Sequence, residues 1–137
     1  MPQDKRSGEE GNTYGHECGK EIAAALGALK LNPASNECLL NGDRVVIKCT
    51  HKKTNSVGVT YEMLKRIRAV VGAFEEKDGS YSIMILPAED YIVHMSETRS
   101  RGSSAGKVGI VSKSLFHQHG RRLPSVRIQG KAKSAGA

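Results

Sequence analysis

The sequence predicts an α/β protein, a mixed central β-sheet flanked by helices, and three observations carry that prediction. Apolar residues recur at helical spacing between Gly15 and Leu29, an Asn41-Gly42 pair separates two short apolar runs, and helix-like and strand-like segments alternate after it. With 137 residues, 38% hydrophobic and 26% charged, one domain with a modest core is expected. No window approaches the ~18 uninterrupted apolar residues of a membrane span, and Met1 to Glu10 is polar and mixed in charge, unlike a signal peptide. A cytoplasmic protein with no membrane contact is therefore expected. The odd cysteine count, Cys18, Cys38 and Cys49 with no CxxC pair, argues against a disulfide framework or a Cys-rich zinc site. Buried thiols are expected instead.

Residues 1–13 are polar and glycine-containing and read as a disordered segment. In the helix that follows, Cys18, Ile22, Ala25, Leu26 and Leu29 form the apolar stripe and Gly27 is the weak point. Asn32-Pro33 and Ser35-Asn36 end it. Glu37 to Leu40 and Asp43 to Cys49 then read as the two strands of a hairpin, because Asn-Gly supplies the positive φ angles of a two-residue turn. His51 to Gly58 reads as a basic loop. Thr60 is a candidate N-cap for a second helix reaching about Val71, with Tyr61, Leu64, Ile67, Val70 and Val71 on its buried side and Gly72 as its stop. A strand from Ser80 to Leu86 follows the Asp78-Gly79 turn, and Pro87 with Ala88-Glu89-Asp90 opens a short helix. After a Ser/Gly-rich linker, Ser96 to Gly106, the segments Val108 to Val111, Ser114 to His119 and Leu123 to Ile128 read as strand, helical turn and edge strand. Residues 14–128 thus form a single domain, with 129–137 a frayed tail.

The net charge of +7 is unevenly spread. Residues 1–96 carry 12 Lys/Arg against 13 Asp/Glu, whereas residues 97–137 carry 9 against Glu97 alone, net +8. A basic segment on a neutral body is the footprint of a polyanion binder, since each phosphate contact releases condensed counterions. The segment has no apolar face for a membrane surface, which favours nucleic acid. Its bland counterpart is a solvated basic tail without a specific partner.

A two-residue turn at Asn41-Gly42 pairs Leu40 with Asp43 and places Glu37 opposite Val46. Strand alternation then puts Lys48 on the face that carries Glu37, one diagonal step away. A three-residue turn would send Lys48 to the other face. Between Ile47 and Cys49, the Lys48 ammonium must leave the sheet face or find carboxylates.

Acid and lysine on successive hairpin strands, an acidic helix before them and a basic loop and helix after them, resemble the core of the PD-(D/E)XK nuclease superfamily. The resemblance spans about Gly15 to Leu86 and rests on Gly15-His16-Glu17-Cys18-Gly19-Lys20-Glu21, Ser35-Asn36-Glu37 and Val45-Val46-Ile47-Lys48-Cys49. It implies a restriction-endonuclease-like fold in which two acids hold Mg²⁺ and the lysine orients the attacking water. Glu37 stands where an aspartate is usual, and Val46 occupies the position of the second acid. Some branches move that acid onto the following helix, and 13 residues, 49–61, separate Lys48 from Glu62 here. Glu62 alternatively complements the helix N-terminus or pairs with Arg66 at i,i+4. Glu21, and less so Glu17, correspond to the glutamate that family members place on the first helix.

The resemblance therefore implies a Mg²⁺-dependent DNA endonuclease, with Glu37 and Glu62 as metal ligands, Lys48 and Glu21 completing the site, and a homodimer for double-strand cleavage. Lys52, Lys53, Arg99, Arg101, Lys107, Lys113, Arg121 and Arg122 are the candidate nucleic-acid contacts. The alternative is a non-catalytic nucleic-acid-binding module on the same fold with a degenerate site. A third reading is a small structural protein whose basic tail docks an acidic partner. Gly102 to Lys107 is one residue short of a phosphate-binding P-loop and Val108 replaces its hydroxyl, which excludes that NTPase motif. His117 and His119 lack a cysteine or acid at ligand spacing and read as phosphate contacts or surface residues.

Overall fold

The computed structural model describes residues 2–31, 35–97 and 108–128, with side chains from Tyr14 onward apart from that of residue 97. Helix α1 (Pro2–Leu26) opens the chain, so helical backbone occupies the segment expected to be disordered. Once the packed turns around Cys18 and Ile22 anchor a helix, extending it costs little per residue, and composition alone does not register that anchoring. The helix stops at Leu26 rather than reaching Leu29. Gly27 adopts φ 73°, its N–H donates to the Ala24 carbonyl at 3.2 Å, and the Ala28 N–H donates to the Ala23 carbonyl at 2.9 Å. This pair of bonds is a Schellman cap, which needs a residue tolerant of the left-handed conformation at Gly27.

Strands β1 (Leu29–Lys30), β2 (Glu37–Leu40) and β3 (Asp43–Thr50) follow in antiparallel sequence. The crossover after them contains β4 (Ser56–Thr60) and the single turn α2 (Tyr61–Leu64), and it returns the chain to β5 (Ala69–Glu75), parallel to β3. Then come β6 (Ser80–Pro87), α3 (Ala88–His94), β7 (Ser96–Glu97), β8 (Val108–Ser112), α4 (Lys113–His119) and β9 (Arg121–Arg127). The main sheet has the order β1-β2-β3-β5-β6-β9, mixed only through the β3/β5 pair, and a second sheet has the order β4-β8-β7. An α/β architecture with a mixed sheet is thus present.

Two elements depart from the sequence expectation in the crossover. Ser56 to Thr60 is a strand rather than the end of a loop, and the helix capped by Thr60 lasts only four residues, with Val70, Val71 and Gly72 inside β5. Every residue of β5 is buried, as a strand lying between two neighbours and covered on both faces requires. Such a run of apolar residues has no period of two, so its spacing imitates a helix. Thr60 nevertheless caps as expected, its Oγ1 accepting the Met63 N–H at 3.2 Å.

The sheet has two differently covered faces. On one, Cys18, Ile22 and Ala23 of α1 pack on Val45, Ile47, Val71, Tyr81 and Ile83. A disulfide joins Cys18 to Cys49 of β3 across this face, correcting the expectation of three free thiols; Cys38 remains a buried thiol. The helical stripe and the strand alternation each direct a cysteine to this interface, but their pairing is a tertiary fact. On the other face Val46, Val70, Met84 and Leu86 meet the second sheet and the short helices. Tyr91 of α3 locks that layer, its buried hydroxyl lying 3.0 Å from the Val57 carbonyl and 2.7 Å from that of Gly109. Burial pushes the Tyr91 phenol up, so it stays a proton donor. Among the described residues no helix is long and apolar enough to cross a membrane.

Candidate functional site

The hairpin turn sets the site geometry. Asn41 and Gly42 have φ angles of 52° and 86°, the two positive values of a type I′ turn, and the resulting register pairs Leu40 with Asp43 and Glu37 with Val46. Glu37, Val46 and Lys48 therefore share the face covered by the second sheet, while Val45, Ile47 and Cys49 point toward α1. Lys48 lies opposite Gly72 of β5 and is partly buried. No ion pair to it exists among the described residues, and burial pulls its ammonium below the usual lysine range.

Glu37 is more deeply placed, 5% exposed, and it is not alone. Arg66, just past α2, donates its Nε–H to both carboxylate oxygens at 3.3 and 3.1 Å, and Arg44 Nη1 stands 3.5 Å from Oε2. Arg66 is steadied from behind, its Nη1 donating to the Glu62 carbonyl at 3.4 Å. One buried carboxylate thus holds two guanidiniums, each nearly half exposed, and the cluster carries one net positive charge.

This donor set does not fit Mg²⁺. A cation approaching Glu37 meets two guanidiniums already seated on the same carboxylate, and Val46 opposite it offers no oxygen. Glu62 is exposed, and what ties it to the cluster is its main-chain carbonyl rather than its carboxylate. Glu17 and Glu21 are exposed on α1, which covers the opposite face of the sheet. Among the described residues, no group of three His, Cys, Asp or Glu side chains is arranged to hold a metal ion.

The candidate nucleic-acid contacts divide between the two ends of the sheet. Lys52 and Lys53 are exposed on the turn after β3, where the Lys52 N–H donates to Glu75 Oε1 at 3.1 Å. Lys113 begins α4 near the same end, its N–H bonded to the Asn55 carbonyl at 2.7 Å and its ammonium 5.4 Å above the Phe74 ring. Arg121 and Arg122 are exposed on β9, opposite Ile85 and Met84 and so toward the hairpin end. Arg99, Arg101 and Lys107 lie outside the described residues. Arg44, Lys65, Arg66 and Arg68 are also exposed at the hairpin end, and none of them is among the contacts expected from the sequence, where Arg66 figures only as a helical partner for Glu62. The Lys65-Arg66-Ile67-Arg68 run was the available signal, masked because it was assigned to a helix and because the charge excess pointed to the C-terminus. Also unforeseen is a polar cluster on the α1 face: Tyr14 and Tyr81 hydroxyls 2.6 Å apart, the His51 ring stacked on Tyr14 at 3.7 Å, and His51 Nδ1 3.5 Å from Glu75.

Comparison of the chain with family models, with curated proteins and with solved structures found no match.

Proposed function

We propose that this chain is a non-catalytic nucleic-acid-binding module, built on an α/β scaffold that resembles the PD-(D/E)XK nucleases but whose acidic site is replaced by an internal ion-pair cluster. The observation that carries this reading is the seating of Arg44 and Arg66 on Glu37, which turns the position where cleavage would need a free carboxylate into a cationic one. Val46 on the facing strand supports it, since it supplies no second oxygen donor. The excess of nine Lys/Arg over one acid in residues 97–137 supplies the attraction for phosphates.

The test is a duplex-binding titration beside a plasmid-nicking assay. Binding in the micromolar range, falling steeply as salt rises, is expected together with no strand cleavage in Mg²⁺ or Mn²⁺ (order of magnitude ~10⁻⁶ to 10⁻⁴ M for sequence-independent binding). Cleavage by the wild type that disappears in both Lys48→Ala and Glu37→Ala would restore the endonuclease reading. Failure to bind any nucleic acid at low salt would remove both.

A further inference from the structure

We infer that the phosphodiester backbone seats in a groove at the hairpin end of the sheet, between Arg44, Lys65 and Arg66 on one side and Arg121 on the other, with Arg68 at its centre. This rests on the nucleic-acid-binding reading and assigns its surface. Two adjoining hollows form the groove. The first, about 640 Å³, is lined by Arg44, Lys65, Arg66 and Arg68, with Asp43 and Glu89 as its acids. The second, about 400 Å³, shares Asp43 and Arg68 with the first and continues to Arg121 and His119. The strand registers explain why they meet: Asp43 opens β3, Ala69 opens β5, Pro87 closes β6 and Arg121 opens β9, all at one end of the sheet.

Charge and order both favour a polyanion here. Five permanent cations face two acids in the walls, and Glu37 beneath them neutralises one more, leaving an excess of positive charge. Arg44 and Arg66 lean on a single carboxylate, so their forks are already oriented and lose little freedom when a phosphate arrives. Arg68 is anchored through its main chain, its N–H donating to the Arg44 carbonyl at 2.7 Å and its own carbonyl accepting the Ala88 N–H at 2.9 Å. Its side chain stays 77% exposed, with Asp43 Oδ1 3.6 Å from its Nε. An internal carboxylate that consumed all the positive charge would describe a purely structural cluster; here the cations outnumber it.

The lining also selects the mode of contact. Among the described residues no Tyr, Phe or Trp lines either hollow, and the single imidazole of His119 offers no row of rings on which successive bases could stack. That leaves phosphate oxygens of a paired duplex as the groups the groove is suited to hold, by guanidinium contacts that position without reading sequence.

The experiment measures affinity for a short blunt DNA duplex by fluorescence anisotropy across a salt series. The proteins are the full chain, Lys65→Ala/Arg68→Ala, Arg121→Ala, and Lys52→Ala/Lys53→Ala, each checked for native circular dichroism. These side chains are exposed and lie outside the Glu37 cluster, so folding is expected to survive. Lys65→Ala/Arg68→Ala is expected to weaken binding about 10-fold and to lower the slope of log K against log salt by about 2, and Arg121→Ala to shift both in the same direction by about half as much. Wild-type affinity and slope in both groove variants, with the duplex still bound by the full chain, would overturn the groove while leaving the binding reading intact. Loss confined to Lys52→Ala/Lys53→Ala would overturn it likewise and move the surface to the opposite end. No binding by the full chain would sink both.

Discussion

Two buried carboxylates, Glu37 and Glu75, sit on opposite faces of the same sheet and solve the same problem with different chemistry. Glu37 is 5% exposed and Glu75 8%, so each must meet a positive or donating partner to stay charged. Glu37 meets two guanidiniums, whereas Glu75 meets the Lys52 N–H and the His51 ring. Arginine keeps its charge at every pH a fold survives, while histidine surrenders it within the physiological range. The difference teaches that burial of an acid does not by itself mark a metal or catalytic site. What decides its role is whether the partner is permanent, which makes a strut, or exchangeable, which makes a contact that conditions can loosen.

The largest expected effect belongs to the strut. Glu37→Ala leaves two guanidiniums around an empty position and is expected to cost about 2–3 kcal/mol in chemical denaturation, less than a fully buried pair because both arginines are nearly half exposed. A loss under about 0.5 kcal/mol, the range of ordinary surface changes, would break the comparison. The exchangeable contact is weaker. Glu75→Gln is expected to cost about 1–2 kcal/mol. A double-mutant cycle between Glu75 and His51 is expected to give a smaller coupling than the Glu37–Arg66 cycle. Equal couplings in the two cycles would show that the partners' chemistry does not matter.

Lys48 sharpens the comparison as a buried charge with no counterpart among the described residues. Burial lowers its pKa, so between that lowered value and the ordinary lysine value near 10.5 the folded state binds fewer protons than the unfolded chain. Stability rises with pH across this window, and the cost of the buried ammonium is fully present below it. Lys48→Met is therefore expected to stabilise the protein by about 1 kcal/mol at neutral pH, with the gain shrinking as the solution becomes alkaline. A destabilised Lys48→Met protein would mean that the ammonium contributes a favourable interaction that its surroundings do not reveal.

How much of this was legible in the sequence follows from how local each cause is. The Asn41-Gly42 turn fixed the register of Glu37, Val46 and Lys48 because two adjacent residues determine it. The Thr60 cap was legible for the same reason. The β5 strand was not, because its burial on both faces erases the alternation that identifies a strand. The Cys18–Cys49 pairing joins residues 31 positions apart and depends on where α1 lies on the sheet. The Glu37 cluster was hidden most deeply. Arg66 sits four residues after Glu62, a spacing that suggests a helical pair, yet the single turn of α2 ends first and releases Arg66 toward an acid 29 residues earlier.

The borders of the main sheet govern whether it can recruit another copy through its own backbone. On one side stands β1, only two residues long; on the other stands β9, where Pro124 withholds a backbone donor, Arg121, Arg122 and Arg127 are exposed, and pairing with β6 slips between Tyr81 and Ile83. Short, charged, proline-bearing and irregular margins are poor templates for a further strand. At high concentration, fibre-like stacking through these margins is accordingly disfavoured.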